Sequence, residues 1–320
     1  MTPGASEIDA VAVIGSGIMG EGIAQSFAEA GLKARLIDID QTALDRSVAQ
    51  ISANLEMSAA FGLLNEAPPA IAARLEPVLS DDAGHAADGC DFVVEAAPED
   101  LALKRDLFAR LDTLPAHVIL ASNTSSLTVS AIAAGMERPE RVVGVHYFNP
   151  AHIIPAVEIH RGEATGDDVV AATRALLARV GKIPVLVKKE VPGFIINRLT
   201  GALEREVDYL LDEGIVAPED LDAAVKASLG FRLACLGPME AEDFIGLDTA
   251  ARASGNLFKV LSNAQEPSPG LLQKLERGEL GIKSGKGWYD YTGRSREAVL
   301  AERDARLLRQ LALFRAERAL

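Results

Sequence analysis

The residues best suited to chemistry are His146 and Glu158, a histidine and a carboxylate twelve positions apart. Glu158 lies among Ala156, Val157 and Ile159, and apolar neighbours of this kind make an unpaired carboxylate costly. Histidine is its natural partner, because a nearby carboxylate favours the protonated imidazole and fixes its tautomer and orientation. A positioned histidine base contributes about 10²–10⁴ in rate when it removes the proton of an alcohol. The alternative is a structural histidine and an edge-strand glutamate, but a ligand-binding position would favour catalysis.

A glycine-rich loop follows the first predicted strand, directly after Ile14. Its first glycine permits a tight turn, the second lets the backbone approach a pyrophosphate, and the third lets the next helix pack closely. Asp38 ends the second predicted strand, where a carboxylate binds ribose hydroxyls and repels a 2′-phosphate. We therefore predict NAD as the cofactor, with a structural turn as the alternative. The predicted contacts are Gly15, Ser16, Gly17, Ile18, Met19, Gly20 and Asp38.

Two further predicted strands are followed by short polar segments. Ala97 and Glu99 come after the strand that ends at Glu95, and Asn123 and Ser125 come after the next one. Ligands in open α/β sheets bind at the carboxyl ends of the strands, so these residues are predicted contacts of the cofactor or substrate. Helix capping is the alternative for such residues.

The elements that must position these residues alternate short β-branched runs with helical patterns. Predicted helices include 20–30 and 165–180. The fold class predicted is α/β, a doubly wound parallel sheet of the Rossmann type followed by an all-α domain. The predicted strands are 10–14, 34–37, 91–95, 118–121, 142–146, 156–160 and 183–187.

The pattern becomes helical from Phe194 onward, and a Val-Pro-Gly segment at 191–193 precedes the change. We therefore predict two domains, 1–190 and 191–320. The tail 295–320 is predicted to be an amphipathic helix that packs on its own domain or on a partner subunit.

Composition excludes several classes of function. A net charge of −14 and a pI near 4.9 oppose nucleic-acid binding, which needs an excess of Lys and Arg. No stretch is apolar enough to cross a membrane, and no basic leader opens the sequence, so a cytoplasmic location is expected. The two cysteines, Cys90 and Cys235, have neither metal-ligand nor disulfide spacing, so both are expected to be buried thiols and no metal site is predicted.

Taken together, the motifs make the chain similar to the 3-hydroxyacyl-CoA dehydrogenase family from the glycine loop almost to its end. The resemblance implies a nucleotide domain, a helical domain that forms a homodimer, and NAD-linked oxidation of a 3-hydroxyl group in fatty acid metabolism. His146 would take the hydroxyl proton, paired with Glu158. The motifs are GSGIMG, EAAPED, SNTSS, HYFNP with the later VEI, PGFIINR, GLDT and Gly287-Trp288-Tyr289.

The same resemblance implies roles for other residues. Ser125 matches the serine that contacts substrate and nicotinamide, and Asn197 matches the asparagine that helps to hold the substrate. Glu99, Lys104 and Lys283 match positions that contact the nucleotide.

One departure from the family pattern bears on the identity of the substrate. In family members acting on acyl-CoA, the helix after the second strand carries basic residues that meet the CoA phosphates, whereas residues 47–73 here contain no Lys or Arg. The segment Ala151-His152-Ile153-Ile154-Pro155 and the segment 230–234 are similar to the branch that acts on free hydroxy acids or alcohols, such as carnitine, gulonate and hydroxymethylpyridine-carboxylate dehydrogenases. Arg232 is either a carboxylate anchor or a surface or interface residue. The substrate is therefore a CoA thioester or a free hydroxy compound.

Two other classes of protein share the glycine loop or the fold. A non-catalytic, crystallin-like NAD-binding protein would not need the set Ser125, His146, Glu158 and Asn197. A decarboxylating β-hydroxyacid dehydrogenase would use a lysine of the helical domain in place of the His–Glu pair.

Overall fold

The computed structural model describes residue 4 and residues 8–318, which divide into two compact units. The first unit runs to Ile195 and takes in the chain again from Asp304, and the second unit is Ile196–Arg303. The predicted division at residue 190 placed the whole C-terminal tail in the second domain. The structure differs, because the distal part of that tail belongs to the first unit.

An eight-stranded sheet forms the centre of the first unit, with strand order β3-β2-β1-β4-β5-β6-β7-β8. Neighbouring strands are parallel except for β6 and β7, which are antiparallel. The sheet confirms the predicted α/β class. The strands are β1 (Ala10–Ile14), β2 (Lys33–Asp38), β3 (Leu75–Leu79), β4 (Phe92–Glu95), β5 (Ile119–Ser122), β6 (Val142–Tyr147), β7 (Ala156–His160) and β8 (Ile183–Val187).

Helices cover both faces of this sheet. Successive side chains of a strand point to opposite faces, so Val11 and Val13 enter one hydrophobic core while Ala12 and Ile14 enter another. Burial on both faces explains why the central strands are continuous apolar runs. The helices are α1 (Ile18–Glu29), α2 (Gln41–Ala60), α3 (Pro68–Ala72), α4 (Ala83–Ala86), α5 (Leu101–Leu111), α6 (Val129–Ile132) and α7 (Asp167–Arg179).

Two features of the sheet were not predicted. Strand β3 contains Glu76 and Pro77 and lies at the edge, where a strand needs no continuous apolar run. Strand β7 runs antiparallel to β6 because only the eight residues 148–155 join them, and a parallel crossover needs a dozen or more. The antiparallel pairing places Glu158 directly opposite His146.

The second unit is helical, as predicted. Its α-helices carry many apolar side chains, yet no residue of these helices is fully buried in the single chain. Cys235, expected to be buried, is exposed in this unit, whereas Cys90 is buried in the first. The helices are α8 (Ile196–Asp212), α9 (Pro218–Val225), α10 (Phe231–Leu233), α11 (Pro238–Ile245), α12 (Leu247–Leu257) and α13 (Pro269–Glu276).

The C-terminal helix, α14 (Arg296–Arg318), contributes to a third apolar cluster. Leu308 and Leu311 are buried there with Ile153, and Met57 and Phe61 of the α2 region pack against them. Over the described residues, every helix is either too short or too polar to cross a membrane.

Candidate active site

The β6–β7 pair brings His146 and Glu158 together. The two residues are register partners, and His146 Nδ1 lies 2.8 Å from Glu158 Oε2. The other carboxylate oxygen, Oε1, accepts a hydrogen bond of 3.1 Å from the backbone N–H of Ile195. Glu158 is therefore held at both oxygens. With Nδ1 occupied by the carboxylate, the Nε2 atom of the ring is left to act as a base.

Aromatic rings hold the histidine in place. Phe148 meets the His146 ring edge-on at 4.6 Å between centroids, and the Phe194 ring lies 5.7 Å away. The His146 side chain keeps 7% of its surface exposed, while that of Glu158 keeps 1%. Phe194 adopts a φ of 52°, a left-handed conformation that costs a non-glycine residue about 1–3 kcal/mol. Burial of its ring and the neighbouring N–H bond to Glu158 offset that cost.

Sequence reasoning missed a second histidine at this site. His160 is fully buried, and its Nε2 lies 3.7 Å from Glu158 Oε2. Its ring stacks on Phe194 at 3.4 Å between centroids, and the space it occupies exists because residue 144 opposite it is a glycine. Burial lowers the pKa of His160 to about 4, although Glu158 pulls the pKa upward, so the ring is neutral at ordinary pH.

The glycine loop has the geometry that a dinucleotide requires. Gly15 has a φ of 99°, and a Cβ on Gly20 would overlap the carbonyl of Gly15. A Cβ on Gly17 would meet nothing within 4 Å, so the chain leaves open space at the start of α1. No side chain caps that helix end, which leaves its N–H groups for a pyrophosphate. Of the other predicted residues, Ser16 lies in the loop, and Ile18 and Met19 lie in the first turn of α1.

Asp38 is tied to the same loop. Its Oδ2 accepts hydrogen bonds from the backbone N–H and the hydroxyl of Ser16, at 2.6 and 2.7 Å, and Oδ1 accepts from the N–H groups of Ile39 and Asp40. Burial opposes its ionised form, but these hydrogen bonds outweigh burial and lower the pKa of Asp38. The carboxylate therefore stays charged where it would face the ribose hydroxyls.

A buried ion pair lies behind the strand ends. Lys104 and Glu95 side chains are 1% and 0% exposed, and Lys104 Nζ lies 2.5 Å from Glu95 Oε1 and 3.3 Å from Glu99 Oε2. The resemblance matches Lys104 to a nucleotide-contacting position. In this structure its ammonium is instead committed to two carboxylates and the carbonyl of Ala97.

Glu99 organises the SNTSS loop that contains Ser125. Its Oε1 accepts hydrogen bonds from the hydroxyl of Thr124 and from the N–H groups of Ser125 and Ser126. Burial raises the pKa of Glu99, but these bonds and Lys104 outweigh burial and lower the pKa to about 2. The loop is therefore fixed around a permanent negative charge.

The remaining predicted residues divide between the two units. Asn123 Oδ1 accepts from the N–H of Tyr147 at 2.9 Å, which ties the end of β5 to the end of β6, and the N–H of Ala97 donates to Glu95. Asn197 lies in the first turn of α8 and Lys283 in a turn between Gly281 and Lys286, both in the second unit.

Comparison with known proteins identifies the family of this chain. The NAD binding domain of 3-hydroxyacyl-CoA dehydrogenase matches residues 10–191, and the C-terminal domain of the same enzyme matches residues 193–291. The chain belongs to the 3-hydroxyacyl-CoA dehydrogenase family. Its cofactor is NAD, and it is an oxidoreductase acting on a CH–OH group, as predicted.

Relatives of this family member differ in their named substrates. A 5-formyl-3-hydroxy-2-methylpyridine 4-carboxylate 5-dehydrogenase from Mesorhizobium japonicum is 38% identical over 93% of this chain and 96% of its own length. A probable 3-hydroxybutyryl-CoA dehydrogenase from Bacillus subtilis is 36% identical over 89% of this chain and 98% of its own.

The similar solved structures also include one enzyme of each kind, a pyridine-carboxylate dehydrogenase and a 3-hydroxybutyryl-CoA dehydrogenase. The crystal structure of a 5-formyl-3-hydroxy-2-methylpyridine 4-carboxylic acid 5-dehydrogenase, described as an NAD+ dependent dismutase, matches with a TM-score of 0.88 at 37% identity, over 96% of this chain and 99% of its own. An (S)-3-hydroxybutyryl-CoA dehydrogenase from Ralstonia eutropha matches with a TM-score of 0.71 at 34% identity, over 89% and 99%.

Proposed function

We propose that His146 is the base that takes the proton of the substrate hydroxyl, oriented by Glu158. The observation that carries this proposal is the 2.8 Å contact between His146 Nδ1 and Glu158 Oε2 across the β6–β7 register. When bound, NAD supplies the acceptor for the hydride on the same carbon. Glu158 stabilises the imidazolium that His146 becomes once it holds the proton. Ser125 and Asn197 are proposed to hold the substrate oxygens, which is a positioning contribution.

We propose a small free hydroxy compound as the substrate, with a 3-hydroxyacyl-CoA as the second candidate. Residues 47–73 supply no cation for the CoA phosphates, and Arg74, the next basic residue, is paired with Glu66 at 2.6 Å. The end of α2 is also covered, because Leu308 and Leu311 pack with Met57 and Phe61. The named activity and the higher TM-score of the pyridine-carboxylate relative favour the free compound. The family's own description and its 3-hydroxybutyryl-CoA members favour the thioester.

A panel of matched substrates tests this choice. NADH formation is followed with 3-hydroxybutyrate beside 3-hydroxybutyryl-CoA, and with hydroxymethyl- and formyl-pyridine carboxylates and other hydroxy acids. We expect kcat/KM for at least one free compound to exceed that for the CoA thioesters by about tenfold or more, since a tenfold preference needs only about 1.4 kcal/mol. His146→Ala is the control for contaminating dehydrogenases. Turnover of short 3-hydroxyacyl-CoAs as the preferred substrates would reject the free-compound proposal.

We further propose that the chain forms a homodimer through its second unit. Phe231, Phe244 and Phe258 are each at least 70% exposed in the single chain, and exposed apolar groups of this kind mark association surfaces. Sedimentation is expected to give twice the mass of the 33.8 kDa chain, and Phe244→Glu is expected to shift the protein toward the monomer. A monomeric wild-type protein at micromolar concentration would reject this proposal. We also propose a cytoplasmic location, which the free thiols of Cys90 and Cys235 fit.

A further inference from the structure

Three buried side chains converge at the β6–β7 pair with metal-binding atoms. One ligand atom each from His146, Glu158 and His160 lies within 4.8 Å of the other two. Two histidines and one carboxylate form a ligand set that binds Zn²⁺ in catalytic sites, where a water molecule completes the tetrahedron.

The spacing fits a first-row transition metal. Ligand bonds of about 2.0–2.1 Å in a tetrahedron place the ligand atoms about 3.3 Å from one another. The distances from Glu158 Oε2 are 2.8 Å to His146 Nδ1 and 3.7 Å to His160 Nε2, one on each side of that value. The third separation, between the ligand atoms of the two histidines, is at most 4.8 Å, so shifts of about one ångström shared among the side chains would close the site around an ion.

His160 supplies a second and independent observation. Both of its ring nitrogens are buried and have no hydrogen-bond partner among the described residues. A buried polar atom left without a partner destabilises the folded state, so an apolar side chain would fill this space more favourably than an unpaired imidazole. Its Nε2 lies on the carboxylate side of the ring, 3.7 Å from the oxygen that His146 also contacts. A metal ion between them would satisfy that nitrogen.

We propose that His146, Glu158 and His160 form a binding site for Zn²⁺ or a similar transition-metal ion, and that occupation of this site switches the dehydrogenase off. The ligand set carries one negative charge and offers imidazole nitrogens, which Mg²⁺ and Ca²⁺ bind poorly. His146 has the most exposed side chain of the three ligands, at 7%, so the ion enters from its side.

Inhibition follows from the tautomer of His146, and this step rests on the proposed role of that residue. A carboxylate accepts hydrogen bonds, so its contact with Nδ1 requires the ring proton of the free enzyme on that nitrogen, which leaves Nε2 to accept the substrate proton. A metal ion on Nδ1 replaces that hydrogen, and the ring proton moves to Nε2. The ring remains neutral, but its Nε2 can no longer accept a proton. The bound ion also takes the carboxylate that would stabilise the imidazolium.

The test uses the full-length enzyme and measures binding separately from turnover. Equilibrium dialysis with Zn²⁺ is expected to show one site per chain, and Co²⁺ in its place is expected to give visible absorption bands of a four-coordinate ion. Zn²⁺ is expected to inhibit NADH formation at micromolar concentration, and Mg²⁺ is not. His160→Leu is expected to raise the Zn²⁺ concentration for half-inhibition by about tenfold or more, relative to that variant's own activity. It removes one ligand of three, and loss of even an outer-shell partner weakens metal binding by about 10–100-fold.

Matched variants separate this site from incidental binding. Cys235→Ser removes the exposed thiol and is expected to leave the Zn²⁺ response unchanged. His160→Gln is a second variant should leucine impair folding. Equal sensitivity of the His160 variants and the wild type, or no stoichiometric binding to the wild type, would overturn the metal site. Binding that depends on His160 but leaves turnover intact would instead overturn the role of His146 as the proton acceptor.

Discussion

His146→Ala is expected to lower kcat by about 10²–10⁴-fold, the contribution of a positioned general base, while the affinity for NAD changes little. The imidazole lies between Glu158 and the two phenylalanine rings, and its Nδ1 is bonded to the carboxylate at 2.8 Å. Its hydrogen-bond and ring contacts among the described residues are with Glu158, Phe148, His160 and Phe194, and not with the glycine loop or Asp38. Steady-state NADH formation gives kcat, and titration with NAD, followed by fluorescence or by the heat of binding, gives the affinity for the cofactor.

Asp38→Ala is the matched contrast to that variant. Removing its carboxylate abolishes the hydrogen bonds to Ser16, Ile39 and Asp40 and the repulsion of a 2′-phosphate. It is therefore expected to weaken NAD binding and to reduce the preference for NAD over NADP. Loss of NAD binding in His146→Ala, with turnover preserved in the bound fraction, would place this histidine in the nucleotide site and contradict its role as base.

The pairing of His146 with Glu158 could be predicted because each residue is unusual in its own strand. A glutamate inside an apolar strand needs a partner, and a histidine at the end of a neighbouring strand can provide one. The direct contact between the two side chains depends on the order and direction of the strands, which the structure provides. The eight-residue connection at 148–155 forces β7 to run antiparallel, and that reversal sets the register of His146 with Glu158.

His160 could have been found from the sequence. Residues i and i+2 of a strand share a face, so His160 lies on the same face as Glu158, and Gly144 lies two positions before His146 on the facing strand. Sequence spacing alone does not reveal the group of His146, Glu158 and His160, because its members lie on two strands whose antiparallel register brings them together. The covering of α2 by Leu308 and Leu311 could not be predicted, since it joins segments about 250 residues apart that share only an apolar stripe.

Lys104 shows how burial changes the interpretation of a residue identified by resemblance. A lysine that matches a nucleotide-contacting position would be expected to bind a phosphate group of the cofactor. The Lys104 side chain is instead 1% exposed, and its ammonium lies between Glu95 and Glu99. Glu95 Oε1 also accepts from the N–H of Ala97, and Oε2 accepts from Ser122 Oγ, so the lysine neutralises an otherwise fully bonded carboxylate. Its effect on the nucleotide would be transmitted through Glu99 and the SNTSS loop.

Lys104→Met is accordingly expected to lower the free energy of unfolding by about 3–5 kcal/mol, the cost of leaving a buried carboxylate without its counter-ion. Urea unfolding measures this change, with Lys33→Met as the control at an exposed lysine, where a shift within about 0.5 kcal/mol is expected.

The double variant Glu95→Gln, Lys104→Met tests whether the loss of stability comes from the unpaired charge of Glu95. A neutral amide keeps the size of Glu95 and can still accept from Ala97 and Ser122, so the buried charge disappears together with its partner. The double variant is expected to recover much of the lost stability, because removing both charges of a buried pair costs less than removing one. Should Lys104→Met leave stability intact and abolish NAD binding, the lysine would be a direct nucleotide contact, and the ion pair with Glu95 would not be what holds this part of the sheet edge together.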